Sequence, residues 1–210
     1  MLGQGARNRA GSTMRRVQRL QGFPPAGRIL GLDPGLHITG YGVIEMPMPE
    51  SPTEARARMH GGTVGRTSNR DPKLIDGGVL RAKPTDPLPL RLQTLYDAVR
   101  QVLDEHRPDV VVIEELFSTY AHPRSALLMA HARGALMLAA QQSGARVHSF
   151  LPNEVKQVLT GNGHAPKAAM QAAVKARLHL AAPPSPPDVA DALAIALCFA
   201  VRQGTGDQFA

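Results

Sequence analysis

The sequence predicts an α/β protein built on one mixed sheet, and the order of its apolar segments is the main evidence. Three strand-like segments come first, and helix, strand, helix, strand and further helices follow. Consecutive strands favour antiparallel hairpins, whereas strands separated by helices favour parallel crossovers. The continuous apolar run Val110–Ile113 indicates a strand that is covered on both faces. We therefore expect a mixed five-stranded sheet flanked by helices.

The first three strands are interrupted by a long insertion. Arg28–Asp33 predicts a buried strand that ends at the turn residues Pro34-Gly35, and Thr39–Glu45 predicts the second strand. The third strand is expected over Asp76–Ala82. Residues 46–75 are rich in proline, paired glycines and charges, and they are too many for an ordinary connection within a compact domain. We interpret them as a loop insertion and assign it no role.

The remaining elements are predicted by apolar spacing and by proline positions. Leucine and valine recur at helical spacing from Leu88 to Val102, and this helix should end by Arg107 because Pro108 follows. The later elements are a helix over 123–143, a strand over 146–150, helices that begin near Pro152 and Pro166, and a last helix over 188–202. We interpret the apolar stripe from Leu127 to Leu138 as core, and a self-contacting helix face is the alternative.

Charge is concentrated at the amino terminus. The net charge is +7, and six arginines with no acidic residue or lysine lie within residues 1–28, which leaves +1 on the rest. Residues 1–27 predict a disordered basic extension, although a phosphate-binding arm, a transit peptide and a later start at Met14 are alternatives. Residues 28–202 form the predicted domain, and residues 203–210 form a carboxy-terminal tail.

Two further features bear on cellular location. Cys198 is the single cysteine, so an intrachain disulfide is impossible. No apolar stretch reaches the length of a membrane span, and no secretion signal is evident. We expect a cytoplasmic protein with no membrane partner.

Four acidic residues occupy positions that point to metal chemistry. Asp33 ends the first predicted strand and Glu114 ends the fourth, where burial makes a carboxylate costly. Asp188 and Asp191 are three positions apart, so they share one face of the last helix. If the fold brings all four together, Mg²⁺ or Mn²⁺ is the natural compensation, because hard oxygen ligands suit these ions. Singly, each has a simpler interpretation as a turn, strand-end or helix-capping residue.

Several short segments resemble, in the same order, the RuvC family of bacterial Holliday-junction resolvases. They are Ile29–Gly35, Thr39–Val43, Val112–Phe117, Ala132–Gly134, Val155–Gln157 and Asp188–Ala196. The resemblance runs from about Arg28 to about Val201 and is broken by the insertion, where the family has a short hairpin link. It implies an RNase H-like fold in which the first and fourth strands are neighbours.

The resemblance also implies site residues. Asp33, Glu114, Asp188 and Asp191 match the catalytic positions, and they would hold two Mg²⁺ or Mn²⁺ ions per active site. The implied DNA-binding residues are Phe117, Lys156 and Lys167. The ordinary alternatives are a loop aromatic folded onto the core and two exposed helix lysines.

The function implied by the resemblance is structure-specific cleavage of four-way DNA junctions, by metal-dependent phosphodiester hydrolysis, in recombination and repair. It further implies a homodimer and association with the RuvA–RuvB branch-migration complex. An actin-like or sugar-kinase-like phosphotransferase is one alternative, suggested by Asp33, Gly35 and Gly40, but it needs two such domains and this chain has one copy of the motif. A non-catalytic junction-binding module is another, although such a module gains nothing from clustered negative charge where DNA must lie.

Overall fold

The computed structural model describes residues 27–47, 71–116 and 123–204. The strands in these ranges are β1 Gly27–Asp33, β2 Ile38–Met46, β3 Lys73–Arg81, β4 Val110–Glu114 and β5 Arg146–Phe150. The helices are α1 Leu88–His106, α2 Pro123–Gln142, α3 Pro152–Thr160, α4 Lys167–Arg177 and α5 Pro187–Gly204. No helix within these ranges is both long and apolar enough to cross a bilayer.

The five strands form one mixed sheet in the order β3-β2-β1-β4-β5. The consecutive strands β1, β2 and β3 pair antiparallel, whereas β1 with β4 and β4 with β5 pair parallel. This arrangement confirms the predicted mixed sheet. It also makes β1 and β4 neighbours whose carboxyl ends lie at the same edge.

Helices cover both faces of the sheet, and the alternation of buried side chains along β1 separates two cores. Ile29 packs on the face covered by α3, α4 and α5, where it joins Val112 and Phe199. Leu30 and Leu32 point to the other face, which α1 and α2 cover. Because β4 is buried on both sides, its sequence is a continuous run of apolar residues rather than an alternating one.

Helix α5 lies almost directly on the backbone of β1 and β2, and glycines make this approach possible. A Cβ at Gly31 would lie 2.0 Å from the carbonyl oxygen of Ala192, and one at Gly40 would lie 2.1 Å from that of Asp188. Any side chain at either position would push the helix away. The close contact brings the first turns of α5 to the end of β1, where Asp33 lies.

Three predicted details differ from the structure. Strand β3 begins at Lys73 rather than at Asp76, so the insertion spans fewer residues than predicted. Pro166 is the N-cap residue of α4, which begins at Lys167, so it precedes the first turn instead of lying in it. The stripe on α2 is core only in part, because Leu136 is buried whereas Leu127 is 62% exposed and Leu138 is 54% exposed.

The face that helix α2 buries is formed by Ala132, Leu136, Ala139 and Ala140, so only part of it lies within the predicted stripe. Three of these four residues are alanines, which let the helix lie close to the sheet, while Leu127 and Leu138 point outward. The predictions for the basic amino-terminal extension, most of the insertion, Phe117 and nearly all of the carboxy-terminal tail lie outside the described residues.

Candidate active site

The carboxyl ends of β1 and β4 place two acidic side chains next to each other. The parallel register pairs Leu32 with Ile113, so the following residues, Asp33 and Glu114, are adjacent on neighbouring strands. Each is the last residue of its strand. Buried apolar residues precede both acids in their strands, and the two acidic side chains are themselves half-buried.

Asp33 and Glu114 are hydrogen-bonded to each other through their carboxyl groups. Burial, the Asp33 charge and this hydrogen bond raise the pKa of Glu114 from its ordinary 4.5 to about 8. Burial raises the pKa of Asp33 from 3.8 to about 6, although the hydrogen bond from Glu114 opposes this rise. Both carboxyl groups therefore bind protons more tightly than ordinary acidic side chains do. Two buried acids with raised pKa values at one strand edge are typical of a functional site.

Helix α5 adds two more carboxylates to the same region. Asp188 lies in the first turn of the helix, whose first residue is Pro187, and Asp191 lies one turn further. The negative charges of Asp191 and Asp188 raise the pKa of Asp33. The four predicted acids thus form one electrostatic group, although they come from three separate elements.

Two lysines face these acids from α3 and α4. Lys167 Nζ donates a hydrogen bond of 2.8 Å to Asp191 Oδ2, and this contact raises the pKa of Lys167. The positive charge of Lys156 lowers the pKa of Glu114. A cavity of about 290 Å³ is lined by both lysines together with Asp33, Glu114 and Asp191. A phosphate group bound in this cavity would contact both the lysine ammonium groups and the acidic side chains.

The turn between α3 and α4 sets the relative position of the two lysines. Gln157 Nε2 donates to the carbonyl oxygen of Gly161 at 3.0 Å, and Gln157 Oε1 accepts from the Gly163 amide at 3.0 Å. Gly161 adopts a left-handed conformation with φ of 76°, which ends α3. Because one side chain holds both sides of the turn, α4 begins at Lys167 in a defined position.

The acidic group fits a divalent cation by its donor chemistry. Its donors are all carboxylate oxygens, which is the set that Mg²⁺ and Mn²⁺ prefer. Burial, and then repulsion by neighbouring carboxylates, raises the pKa of Asp33 and of Glu114, and a bound cation would offset both effects. Within the ranges that the structure describes, no three acidic, histidine or cysteine side chains already converge as a metal-binding group. Asp191 is instead engaged by Lys167, so metal binding requires side chains to rearrange.

Of the seven predicted site residues, five line this cavity: Asp33, Glu114, Asp191, Lys156 and Lys167. A sixth, Asp188, does not line it, but its charge raises the pKa of Asp33. Phe117 lies outside the described residues. Sequence reasoning missed the part that Arg133 plays, because nothing in an Ala- and Leu-rich helix shows what an arginine side chain reaches. Its Nε donates to the carbonyl oxygen of Glu114 at 2.9 Å.

A larger cavity, of about 740 Å³, lies on the outer side of α3 and contains none of the four acids. Asn153, Gln157, His164 and Arg202 are among its lining residues. Size therefore does not identify the active site in this chain. The acids with raised pKa values and the facing lysines make the smaller cavity the candidate active site.

Comparison with known proteins gives a consistent result. Residues 54–199 match the family model described as crossover junction endodeoxyribonuclease RuvC. The RuvC of Rhodopirellula baltica is 42% identical over 175 residues, which cover 82% of this chain and 85% of the relative.

Solved structures with the same arrangement include RuvC from Thermus thermophilus. It superimposes with a TM-score of 0.70 at 32% identity, over 86% of this chain and 97% of the other. The T. thermophilus RuvC in complex with a Holliday junction substrate superimposes with a TM-score of 0.69 at 29% identity, over the same shares of the two chains.

Proposed function

This chain belongs to the RuvC family of crossover junction endodeoxyribonucleases, and we propose that it resolves four-way DNA junctions by metal-dependent hydrolysis of phosphodiester bonds. The observation that carries the proposal is one cavity lined by three acids and two lysines, with a fourth acid, Asp188, whose charge acts on Asp33. A relative solved with a Holliday junction supports the same substrate for this chain. Such an activity belongs to DNA recombination and repair in the cytoplasm.

Asp33, Glu114, Asp188 and Asp191 are the residues that we propose to hold two Mg²⁺ or Mn²⁺ ions. When bound, such ions supply a hydroxide nucleophile at neutral pH and neutralise charge on the phosphate and on the leaving oxygen. Asp33 is central in the group, since its pKa responds to Glu114, Asp188, Asp191 and Lys167 alike. Asp33 would therefore help to hold the metal ions together with each of the other three acids.

The two lysines bind and orient the substrate strand. Lys156 and Lys167 line the same cavity as the acids, so their ammonium groups are available to phosphate oxygens that enter it. When a phosphate or a metal ion competes for its partner, Lys167 can exchange Asp191 for the phosphate, because its side chain is 57% exposed and free to turn. In this way Lys167 offsets the negative charge that would otherwise repel DNA from four carboxylates.

Phe117, three positions after Glu114, is the residue that we propose to open the junction near the cleavage point. An aromatic ring inserted between base steps compensates part of the unstacking cost, which is a few kcal/mol per step. The proposal rests on the family resemblance, since Phe117 lies outside the described residues.

A homodimer would place one active site against each of two equivalent strands of the junction. Helix α2 offers a surface for it. Leu127 and Leu138 are eleven positions apart, so they share one helix face, and both point away from the core. We propose that two copies pack through this face. Association with the RuvA–RuvB branch-migration complex follows from family resemblance alone.

A direct test uses a synthetic four-way junction and a linear duplex of the same arm sequences. Each is incubated with the protein and Mg²⁺, Mn²⁺ or a chelator, and nicks are mapped on a denaturing gel. We expect nicks on opposite strands of the junction with either metal, none with the chelator, and little cleavage of the duplex. Equal cutting of junction and duplex would contradict junction specificity.

A further inference from the structure

The peptide group of Glu114 is held by a side chain from a different layer of the fold. Arg133, on α2, donates from Nε to the carbonyl oxygen of Glu114 at 2.9 Å. Its Nη2 donates to Ser149 Oγ on β5 at 2.7 Å. One edge of a planar guanidinium group therefore bridges the carboxyl ends of β4 and β5, next to the candidate catalytic acid.

The strand ends explain why a side chain is needed there. The parallel ladder between β1 and β4 ends at Leu32 and Ile113, and Pro34 follows Asp33 on β1. On the other side, the Glu115 amide donates to the carbonyl oxygen of Phe150, and the next amide, that of Leu151, is taken by Glu154 at the start of α3. Proline has no N–H group and the Leu151 amide is already bonded, so neither neighbouring strand continues the ladder beyond this point. A half-buried carbonyl oxygen without a donor would be costly, and Arg133 supplies the donor.

The positive charge of Arg133 serves this contact rather than an ion pair with the acids. Within the described residues, both oxygens to which its side chain donates are neutral: one belongs to a peptide group and the other to a hydroxyl. A guanidinium group that fixes a backbone carbonyl acts on the position of the attached side chain, not on its charge.

We propose that Arg133 is a positioning residue that fixes the Glu114 peptide so that the Glu114 carboxylate points at the metal site. The inference rests on the proposed function, because it concerns how that site is held together. Removal of a group that orients a metal ligand typically lowers metal affinity or activity by about 10- to 100-fold. A point charge cannot replace Arg133, since two separate oxygens must be reached from one planar group.

The test compares Arg133→Met, Arg133→Lys and Ser149→Ala with the wild type. Mn²⁺ binding is measured by calorimetry without DNA, and junction binding is measured with Ca²⁺ in place of the catalytic ion. Single-turnover cleavage is measured separately. Arg100→Met is the matched control, because Arg100 is a surface arginine on α1 that pairs with Asp104 one turn away.

We expect Arg133→Met and Arg133→Lys to weaken Mn²⁺ binding and slow cleavage by about 10-fold or more, with junction affinity within about twofold of wild type. Ser149→Ala should have a smaller effect in the same direction, and Arg100→Met none. If Arg133→Met does not fold, the lysine and Ser149→Ala variants carry the test.

Two outcomes would overturn the proposal. In one, Arg133→Met binds Mn²⁺ as tightly as the wild type does. If that variant loses only junction binding, Arg133 is a DNA contact. In the other, Arg133→Lys binds Mn²⁺ and cleaves as the wild type does while Arg133→Met does not, which would mean that charge alone matters. Failure of the proposed function is distinguishable, because the wild type would then leave junctions intact while the Mn²⁺ comparison still reports on Arg133.

Discussion

Lys167 and Asp191 are hydrogen-bond partners at 2.8 Å, so a candidate substrate-binding lysine is held by a candidate metal ligand. The two residues come from different helices, α4 and α5, and both border the active-site cavity. The ion pair holds the lysine against the carboxylate at this cavity. It also means that Asp191 must be released before it can bind a cation.

Replacement of Lys167 by methionine should slow cleavage by at least about 10-fold, because a cation that faces the phosphate is lost. The melting temperature should change little, since exposed ion pairs contribute about 0–1 kcal/mol and this lysine is 57% exposed. Single-turnover rates and thermal melts measure both effects. Lys175→Met, on the same helix, is the control and should leave the rate unchanged.

The buried acids predict an unusual pH dependence of stability. The pKa of Glu114 is raised to about 8 and that of Asp33 to about 6, so between about pH 4 and pH 8 the folded chain binds more protons than the unfolded one. Stability therefore falls as pH rises through this range. Metal-free protein should melt at a lower temperature at pH 8 than at pH 5, and the combined effect is on the order of a few kcal/mol.

Glu114→Gln should flatten this dependence, whereas Glu115→Gln should not, because Glu115 is exposed. Mn²⁺ should raise the melting temperature more at pH 8 than at pH 5, since protons compete with the metal for the same oxygens. If the melting temperature of Glu114→Gln depends on pH as that of the wild type does, titration of Glu114 is not the cause of the pH dependence.

The glycines beneath α5 predict a link between packing and catalysis. In Gly40→Ala, the new Cβ would lie 2.1 Å from the carbonyl oxygen of Asp188, so the start of α5 must move away. We expect a loss of about 1–3 kcal/mol of stability and a large loss of cleavage. Gly134→Ala is the control for stability. It has no atom within 4 Å of the added Cβ and should be neutral or up to about 1 kcal/mol more stable.

Exposed leucines on α2 predict self-association. Leu127→Glu should shift the protein from dimer to monomer in sedimentation equilibrium, because a charge would be buried in the contact. Leu90→Glu is the matched control, since Leu90 is 47% exposed but lies on α1. If both variants keep the mass of the wild type, the dimer forms through another surface or does not form.

Sequence reasoning found the elements whose signals are local. The apolar run of β4, the prolines around the later helices and the acids at strand ends all depend on neighbouring residues, so the order of elements and the four carboxylates were predictable. The outward face of α2 was not predictable, because alanine and leucine suit both core and contact surfaces. Equally, no spacing rule shows that Arg133 reaches Glu114, since that contact depends on the packing of α2 against β4 and β5.

The most direct test is single-turnover cleavage of a four-way junction by Asp33→Asn, measured beside junction binding. Removing this charge weakens metal binding and eases the approach of phosphate. We therefore expect cleavage in Mg²⁺ or Mn²⁺ to fall by at least about 100-fold while junction affinity stays the same or rises. Nicking at the wild-type rate by Asp33→Asn would contradict a carboxylate metal site at the ends of β1 and β4.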